Sequence, residues 1–239
     1  MRYERQRMMK QIGQKGQERL SQSTVTVVGC GGLGSPVLTY LASAGIGKLV
    51  IIDFGEVSET DLNRQFLYGI KDIGRPKVVC AKEQLLDMNS EIEIVGIHEE
   101  LTVENIGKII NDADVVIDCV DNIETRILVG RECLRRDIPL VEAGVEGFYG
   151  WIMSIGRQSA CLECMGLENM VIKRPVPIIG TTAGVIGSLQ ANECIKIILG
   201  MEGTLFGTML QYDGLSGSID RIELQKDDFC KAHQGIAKG

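Results

Sequence analysis

Thr24-Val25-Thr26-Val27-Val28 runs directly into Gly29-Cys30-Gly31-Gly32-Leu33-Gly34, and Asp53 closes a second β-branched run, Lys48 to Phe54. A strand, a G-x-G-x-x-G turn and a helix make a phosphate cradle. The first glycine turns the chain, the second admits a phosphate to the backbone, and the third packs helix on strand. Gly29, Gly31 and Gly34 hold those places, and an acid about 20 residues on, here Asp53, suits ribose hydroxyls. Alone, the spacing indicates an adenine nucleotide without saying which; a glycine turn in an empty α/β fold has the same letters. Three further segments bear on the choice: Thr60-Asp61-Leu62-Asn63-Arg64-Gln65, Gly74-Arg75-Pro76-Lys77 at a helix start, and Cys119-Val120-Asp121-Asn122 at a strand end. Ligands of open α/β sheets sit at those strand ends, so all three segments can converge on one crevice. Arg64 and Lys77 supply the fixed positive charge that a triphosphate needs and a hydride acceptor does not. Asp121 beside phosphates makes sense if Mg2+ bridges them. Taken singly, Arg64 reads equally as a surface ion pair, Lys77 as a solvated helix residue and Asp121 as a helix N-cap before Thr125.

Eight cysteines divide into two groups. Cys161-Leu162-Glu163-Cys164 and Cys230-Lys231-Ala232-His233 are a CxxC and a CxxH pair, together the ligand set of a closed tetrahedral Cys3His zinc site. A redox CxxC or thiols without a partner are the competing readings. Four protein ligands leave no open position, so a metal there is structural. Cys30, Cys80, Cys119, Cys133 and Cys194 fall on or beside expected strands and helices and read as buried, inert thiols.

The elements that must position these residues follow from hydrophobic pattern. Strands are expected at 24–28, 48–54, 92–97, 114–119 and 139–143. Helices are expected from Pro36 to Ala44 and over 77–88, 103–111 and 125–136. That alternation predicts a doubly wound, mostly parallel sheet. Beyond Ala143 the pattern changes: 147–155 and 204–224 read as strands in hairpin order around a long helix, 183–199, which predicts an antiparallel extension. Residues 1–20 have helical spacing interrupted by Gly13 and Gly16.

At 239 residues the chain suits a single domain with an ample core. With 25 basic against 32 acidic side chains the net charge is -7, which argues against nucleic acid or an anionic membrane as a main partner. The N-terminus, MRYERQRMMK, has no apolar h-region. The uncharged run 175–192 is broken by Pro177, Thr181, Thr182, Ser188, Gln190 and glycines, and makes a poor membrane span. A cytoplasmic protein with reduced cysteines is the expectation.

The ordered motifs RYERQ, VVGCGGLGSP, DFGEV, DLNRQF, GRPK, DCVDN, the CLEC pair and GVIGSLQANE, from Arg2 to about His233, resemble the MoeB/ThiF/HesA family, relatives of the ubiquitin-activating enzymes. The resemblance implies an ATP-dependent adenylyltransferase acting on the C-terminal Gly-Gly carboxylate of a ubiquitin-like sulfur carrier, MoaD- or ThiS-like. It implies contact with ATP for Gly32, ribose binding for Asp53, and phosphate binding for Asn63, Arg64, Gln65 and Lys77. It further implies a magnesium-linked catalytic role for Asp121 with Asn122 beside it, and a homodimer in which Arg5 reaches the partner subunit's phosphates. The chain would divide into an N-terminal helical arm (1–20), a nucleotide-binding half (21–145) and a carrier-binding and zinc half (146–239). Two departures matter. The family pattern has four cysteines where this chain has His233 as the fourth residue. The loop cysteine of sulfur-transferring members is also missing, since Lys173-Arg174-Pro175-Val176-Pro177 stands there and no Cys lies between Cys164 and Cys194. That favours adenylation alone, with a separate sulfurtransferase, as in the MoeB branch. Competing readings are adenylation of a peptide or other small carboxylate, a nucleotide-binding scaffold that docks a carrier without turnover, and, weakest, a nicotinamide oxidoreductase.

Overall fold

Short β-branched runs buried on both faces need helices on both sides, and the chain supplies them. The computed structural model describes residues 2–169 and 176–234. The strands are β1 (Thr24–Val28), β2 (Lys48–Ile52), β3 (Glu93–Ile97), β4 (Val115–Asp118), β5 (Leu140–Glu146), β6 (Tyr149–Ile155), β7 (Thr208–Asp213) and β8 (Ser218–Glu223). They form one sheet in the order β3-β2-β1-β4-β5-β6-β7-β8. Strands β3 to β5 of that order are parallel, and β5-β6-β7-β8 are joined antiparallel, as the change of pattern after Ala143 implies. The helices are α1 (Glu4–Arg7), α2 (Gly13–Gln22), α3 (Gly34–Ala44), α4 (Lys77–Met88), α5 (Ile106–Ile109), α6 (Ile123–Arg136), α7 (Gly180–Leu199) and α8 (Lys231–Gln234).

Alternate residues of the central strands face two separate cores. Val25, Val27, Leu49, Ile51, Val115 and Ile117 meet Val37, Leu38 and Leu41 of α3, Leu85 of α4 and Ile186 of α7. Val28, Ile52 and Val116 meet Val129, Cys133 and Leu134 of α6. Among the described residues no helix is long and apolar enough to cross a membrane.

Several element bounds differ from the sequence expectation. Gly13 and Gly16 do not interrupt a helix. Gly13 opens α2 and Gly16 lies within it, where a Cβ would sit 3.2 Å from Ile12 and 3.4 Å from Leu199. The expected helix 103–111 shrinks to the single turn α5, because Val103 faces solvent and Asn105 turns back on the chain. Its side chain accepts from the Thr102 N–H at 2.8 Å and donates to the Glu100 carbonyl at 2.8 Å. Helix α7 starts at Gly180, three residues early, since Gly180 packs directly on Asn63 and Arg64. The segment from Asp53 to Lys77 carries two capped single turns, Glu59–Asp61 and Ile70–Asp72.

The N-terminal arm is tied to the C-terminal end of α3. Gln6 and Gln17 both donate to the Ala44 carbonyl, at 3.0 and 2.9 Å, and Asn89 donates to the Tyr3 hydroxyl at 2.8 Å and to the Ala42 carbonyl.

Candidate nucleotide crevice and metal centre

Strand order reverses between β1 and β4, and the glycine loop leaves β1 at that point. Two glycines are fixed by packing. Gly29 has φ +96°, and a Cβ on it would lie 2.8 Å from the Cys119 carbonyl oxygen. A Cβ on Gly34 would lie 2.3 Å from the Gly29 carbonyl oxygen. At Gly31 the nearest atom to such a Cβ is Gln65 Nε2 at 3.8 Å, and at Gly32 it is the Arg64 stem at 3.4 Å, so packing alone does not require glycine at these two. The Tyr68 hydroxyl braces the loop by donating to the Cys30 carbonyl at 2.8 Å. No sequence motif pointed to Tyr68.

Asp53 stands beside this loop and takes the Cys30 and Gly55 backbone N–H groups, one on each oxygen, at 2.7 Å. A carboxylate has about four lone-pair sites, so capacity for ribose hydroxyls remains. Lys77, first residue of α4, lies with its stem 3.6 Å from a Cβ on Gly55 and its ammonium 3.3 Å from Asp61. Arg64 donates to the Thr60 carbonyl and to Asn63 Oδ1, each at 2.9 Å, and lies 3.6 Å from Asp61. Gln65 donates to Asp61 at 2.8 Å. Asp61, to which the sequence reading gave no role, is therefore the hub of the cationic side. Burial alone would raise its pKa, but the Ser58 backbone N–H and the Lys77 ammonium outweigh that and hold it below the usual carboxylate range. The signal was present in the letters, as an acid three residues before Arg64.

The Cys119–Asn122 turn follows the end of β4, and its Cys119 carbonyl abuts Gly29. The bland reading of Asp121 as a helix cap is wrong: the cap of α6 is Asn122, whose Oδ1 accepts the Thr125 N–H at 2.8 Å, and Asp121 is exposed. Gln190 of α7 secures this turn from behind by donating to the Asp118 carbonyl at 2.8 Å. Around the glycine loop the structure brings Asp53 beside Cys30, and Arg64, Gln65 and Lys77 around Asp61. Arg5 is not among them. It is exposed on α1, at the far end of α3 from the glycine loop, about 16 Å along an 11-residue helix.

Cys161, Cys164, Cys230 and His233 meet on the opposite side of the fold, their ligand atoms all within 4.8 Å of one another. Cys161 Sγ lies 3.6 Å from both Cys164 Sγ and Cys230 Sγ, close to the roughly 3.8 Å edge of a tetrahedron with ~2.3 Å metal–sulfur bonds. Both ring nitrogens of His233 are buried without a hydrogen-bond partner. Burial raises the Cys161 and Cys230 thiols, so thiolates here need a compensating cation. The residues fit Zn2+. Arg131 of α6 clamps the CxxC turn through Glu163, at 2.7 and 2.9 Å. Burial also keeps the Cys30, Cys119, Cys133 and Cys194 thiols neutral, in line with core roles. Lys173, Arg174 and Pro175 lie outside the described residues.

Residues 3–232 match the ThiF family. The chain is 35% identical to the Escherichia coli (strain K12) sulfur carrier protein ThiS adenylyltransferase, over 96% of this chain and 93% of that protein. It is 35% identical to the heterocyst protein HesA of Trichormus variabilis, over 96% of this chain and 86% of that protein. It is also 38% identical to the adenylyltransferase and sulfurtransferase MOCS3 of Culex quinquefasciatus, where it spans 94% of itself but 52% of the relative, about half. Among solved structures, Escherichia coli MccB with MccA-N7isoASN superposes with a TM-score of 0.86 at 23% identity, over 98% of this chain and 75% of that one, a likeness of fold. With a glycine loop at the β1/β4 switch point and a family match along nearly its whole length, the chain belongs to the ThiF family of adenylating enzymes.

Proposed function

We propose that this enzyme adenylates the C-terminal Gly-Gly carboxylate of a ubiquitin-like sulfur carrier protein, at the expense of ATP. The reading is supported by the glycine loop beside Asp53 at the β1/β4 switch point, with Arg64 and Lys77 gathered around Asp61, in a chain 35% identical to a ThiS adenylyltransferase over nearly its whole length.

The chemistry needs no protein nucleophile. A carrier carboxylate oxygen forms a bond to the α-phosphorus of ATP, the bond from that phosphorus to the bridging oxygen breaks, and pyrophosphate leaves with the electron pair. Two anions must approach each other, so the barrier is lowered by fixed positive charge and by holding the reacting atoms in line. Backbone of Gly31 and Gly32 borders the phosphates, Asp53 takes the ribose hydroxyls, and Asn63, Arg64, Gln65 and Lys77 hold the phosphates and then the departing pyrophosphate. Asp121, with Asn122 shaping its turn, offers the single exposed carboxylate that a phosphate-bound Mg2+ uses; that ion would neutralise charge on the phosphates. Arg5 completes the site from the second subunit of a homodimer. Zn2+ at Cys161, Cys164, Cys230 and His233 would be structural, pinning the C-terminal segment to α6. Residues 146–239 would form the carrier-binding and zinc half.

With no cysteine between Cys164 and Cys194, the reading ends at the acyl-adenylate, which a separate sulfurtransferase would consume, in the cytoplasm. The test is ATP–pyrophosphate exchange with purified MoaD-like and ThiS-like carriers. Exchange dependent on an intact Gly-Gly end, and lost in Asp121→Ala, is expected. Exchange with short peptides alone would move the substrate assignment, and exchange surviving Asp121→Ala would remove that residue from the chemistry.

A further inference from the structure

Behind the Asp121 turn lies a buried charged cluster that the adenylation chemistry leaves unused. Arg126 on α6, Asp118 at the end of β4 and Glu142 on β5 are 7%, 0% and 0% exposed. The guanidinium forks between elements. Nη2 donates to the Val120 carbonyl at 2.7 Å, while Nη1 donates to the Ala143 carbonyl and to Glu142 Oε1, with Asp118 Oδ2 3.9 Å away. The Trp151 ring covers it at 5.8 Å. Asp118 Oδ1 accepts the Val120 N–H at 2.9 Å. Both polar backbone groups of Val120 are thus taken by buried charged side chains. Because a peptide unit is planar, fixing the Val120 carbonyl also fixes the amide of Asp121 and the direction in which its Cα leaves.

The proton count follows from the two remaining oxygens. Asp118 Oδ2 and Glu142 Oε2 are buried without a hydrogen-bond partner, and the two carboxyl groups meet at the same guanidinium nitrogen, Arg126 Nη1. Two ionised carboxylates can only accept, and would leave a buried cluster with one excess negative charge. One proton, on Glu142 Oε2 and donated to Asp118 Oδ2, satisfies both oxygens and balances one carboxylate against one guanidinium. Asp118 is the ionised partner because its other oxygen takes the Val120 N–H. The other titratable groups facing the cluster are Asp121 and the thiols of Cys119 and Cys133, which burial keeps neutral.

We propose that Arg126 is the positioning residue for Asp121: it fixes the Val120–Asp121 peptide, and it is held in place by Asp118 and Glu142 sharing a single proton. The catalytic consequence rests on the adenylation reading; the proton does not.

Infrared spectroscopy of the full chain at neutral pH should show the carbonyl stretch of a buried protonated carboxylic acid. That band should vanish in Glu142→Gln, whose melting temperature stays within about 3 °C of wild type because an amide replaces a neutral acid. No band, or a Glu142→Gln protein melting about 10 °C lower, would overturn the shared proton. Arg126→Lys keeps the charge but cannot bridge two carbonyls as the fork does. It should lower kcat for pyrophosphate exchange by roughly 30-fold or more, with KM for ATP within about twofold. The charge-balanced pair Arg126→Met with Asp118→Asn serves as a second variant and should show the same split. Unchanged kcat in either folded variant refutes the positioning role. If wild type supports no exchange with any carrier, the adenylation reading fails separately. The Asp121 amide then reports instead: its hydrogen exchange should be faster in Arg126→Lys, and equal rates would end the proposal.

Discussion

Lys77 Nζ and Asp61 Oδ2 face each other at 3.3 Å, with the two side chains 14% and 11% exposed. A carboxylate at that distance cancels part of the positive charge that a phosphate would meet. Asp61→Asn should therefore lower the KM for ATP by roughly two- to tenfold, measured at low salt where the effect is least screened. A higher KM would show that alignment of Lys77 matters more than its charge. The same pair sets an acid limit. Asp61 has its folded pKa below its unfolded one, so its contribution is complete above the unfolded value and fades as pH falls through the folded value. Acid unfolding below about pH 4 should be shallower in Asp61→Asn than in wild type.

On the proposed reading Lys77→Ala removes a fixed cation that the leaving group would meet, and it leaves Asp61 partly buried without its ammonium. Pyrophosphate exchange should drop by about 100-fold or more in kcat/KM, with a loss of stability of about 1–3 kcal/mol in urea titration. A tenfold or smaller drop would place Lys77 outside the charge-neutralising set.

A methyl group on Gly34 would meet the Gly29 carbonyl oxygen at 2.3 Å, and one on Gly187 would meet Pro36 at 2.4 Å. Gly34→Ala should lose ATP binding by calorimetry, since the loop must shift. Gly187→Ala should lower stability by about 1–3 kcal/mol through overpacking. Gly184→Ala, on the same helix but meeting nothing within 4 Å, serves as the neutral control.

Metal analysis should find about one zinc per chain, and cobalt substitution should give the absorption of a tetrahedral thiolate site. His233→Ala should weaken retention against a chelator without changing the CxxC pair. Zinc content well below stoichiometry in freshly purified protein would leave the cluster as packed thiols.

If Arg5 acts across a dimer, Arg5→Ala and Lys77→Ala proteins, each inactive alone, should regain about a quarter of wild-type exchange when unfolded and refolded together. Half of the dimers would be mixed, and each mixed dimer has one intact site. No recovery would confine Arg5 to a role within its own chain.

The alternation of β-branched runs and amphipathic segments made the parallel half legible, because each element there carries its own period. Gly29, Gly34 and Asp53 were legible for the same reason: they fall at fixed offsets within one β-α-β unit. The cluster of Asp118, Arg126 and Glu142 was not, since its members lie on three elements and only the parallel pairing of β4 with β5 brings them together. The over-long expectation at 103–111 arose from apolar spacing that Asn105 overrides locally. At 180–182 the error ran the other way, with tertiary contact at Gly180 prevailing over weak helix propensity.

Strand β8 is exposed along all six of its residues, whereas β1 is buried along four of five. The interior strand that carries the glycine loop is therefore constrained by packing, and the β8 edge by very little. Substitutions on β8 typically cost within about 0.5 kcal/mol, while those beside the glycine loop do not have that latitude. The fold thus sets its glycine loop inside the sheet and leaves most freedom to vary at the β8 edge, which can change over generations without disturbing that loop.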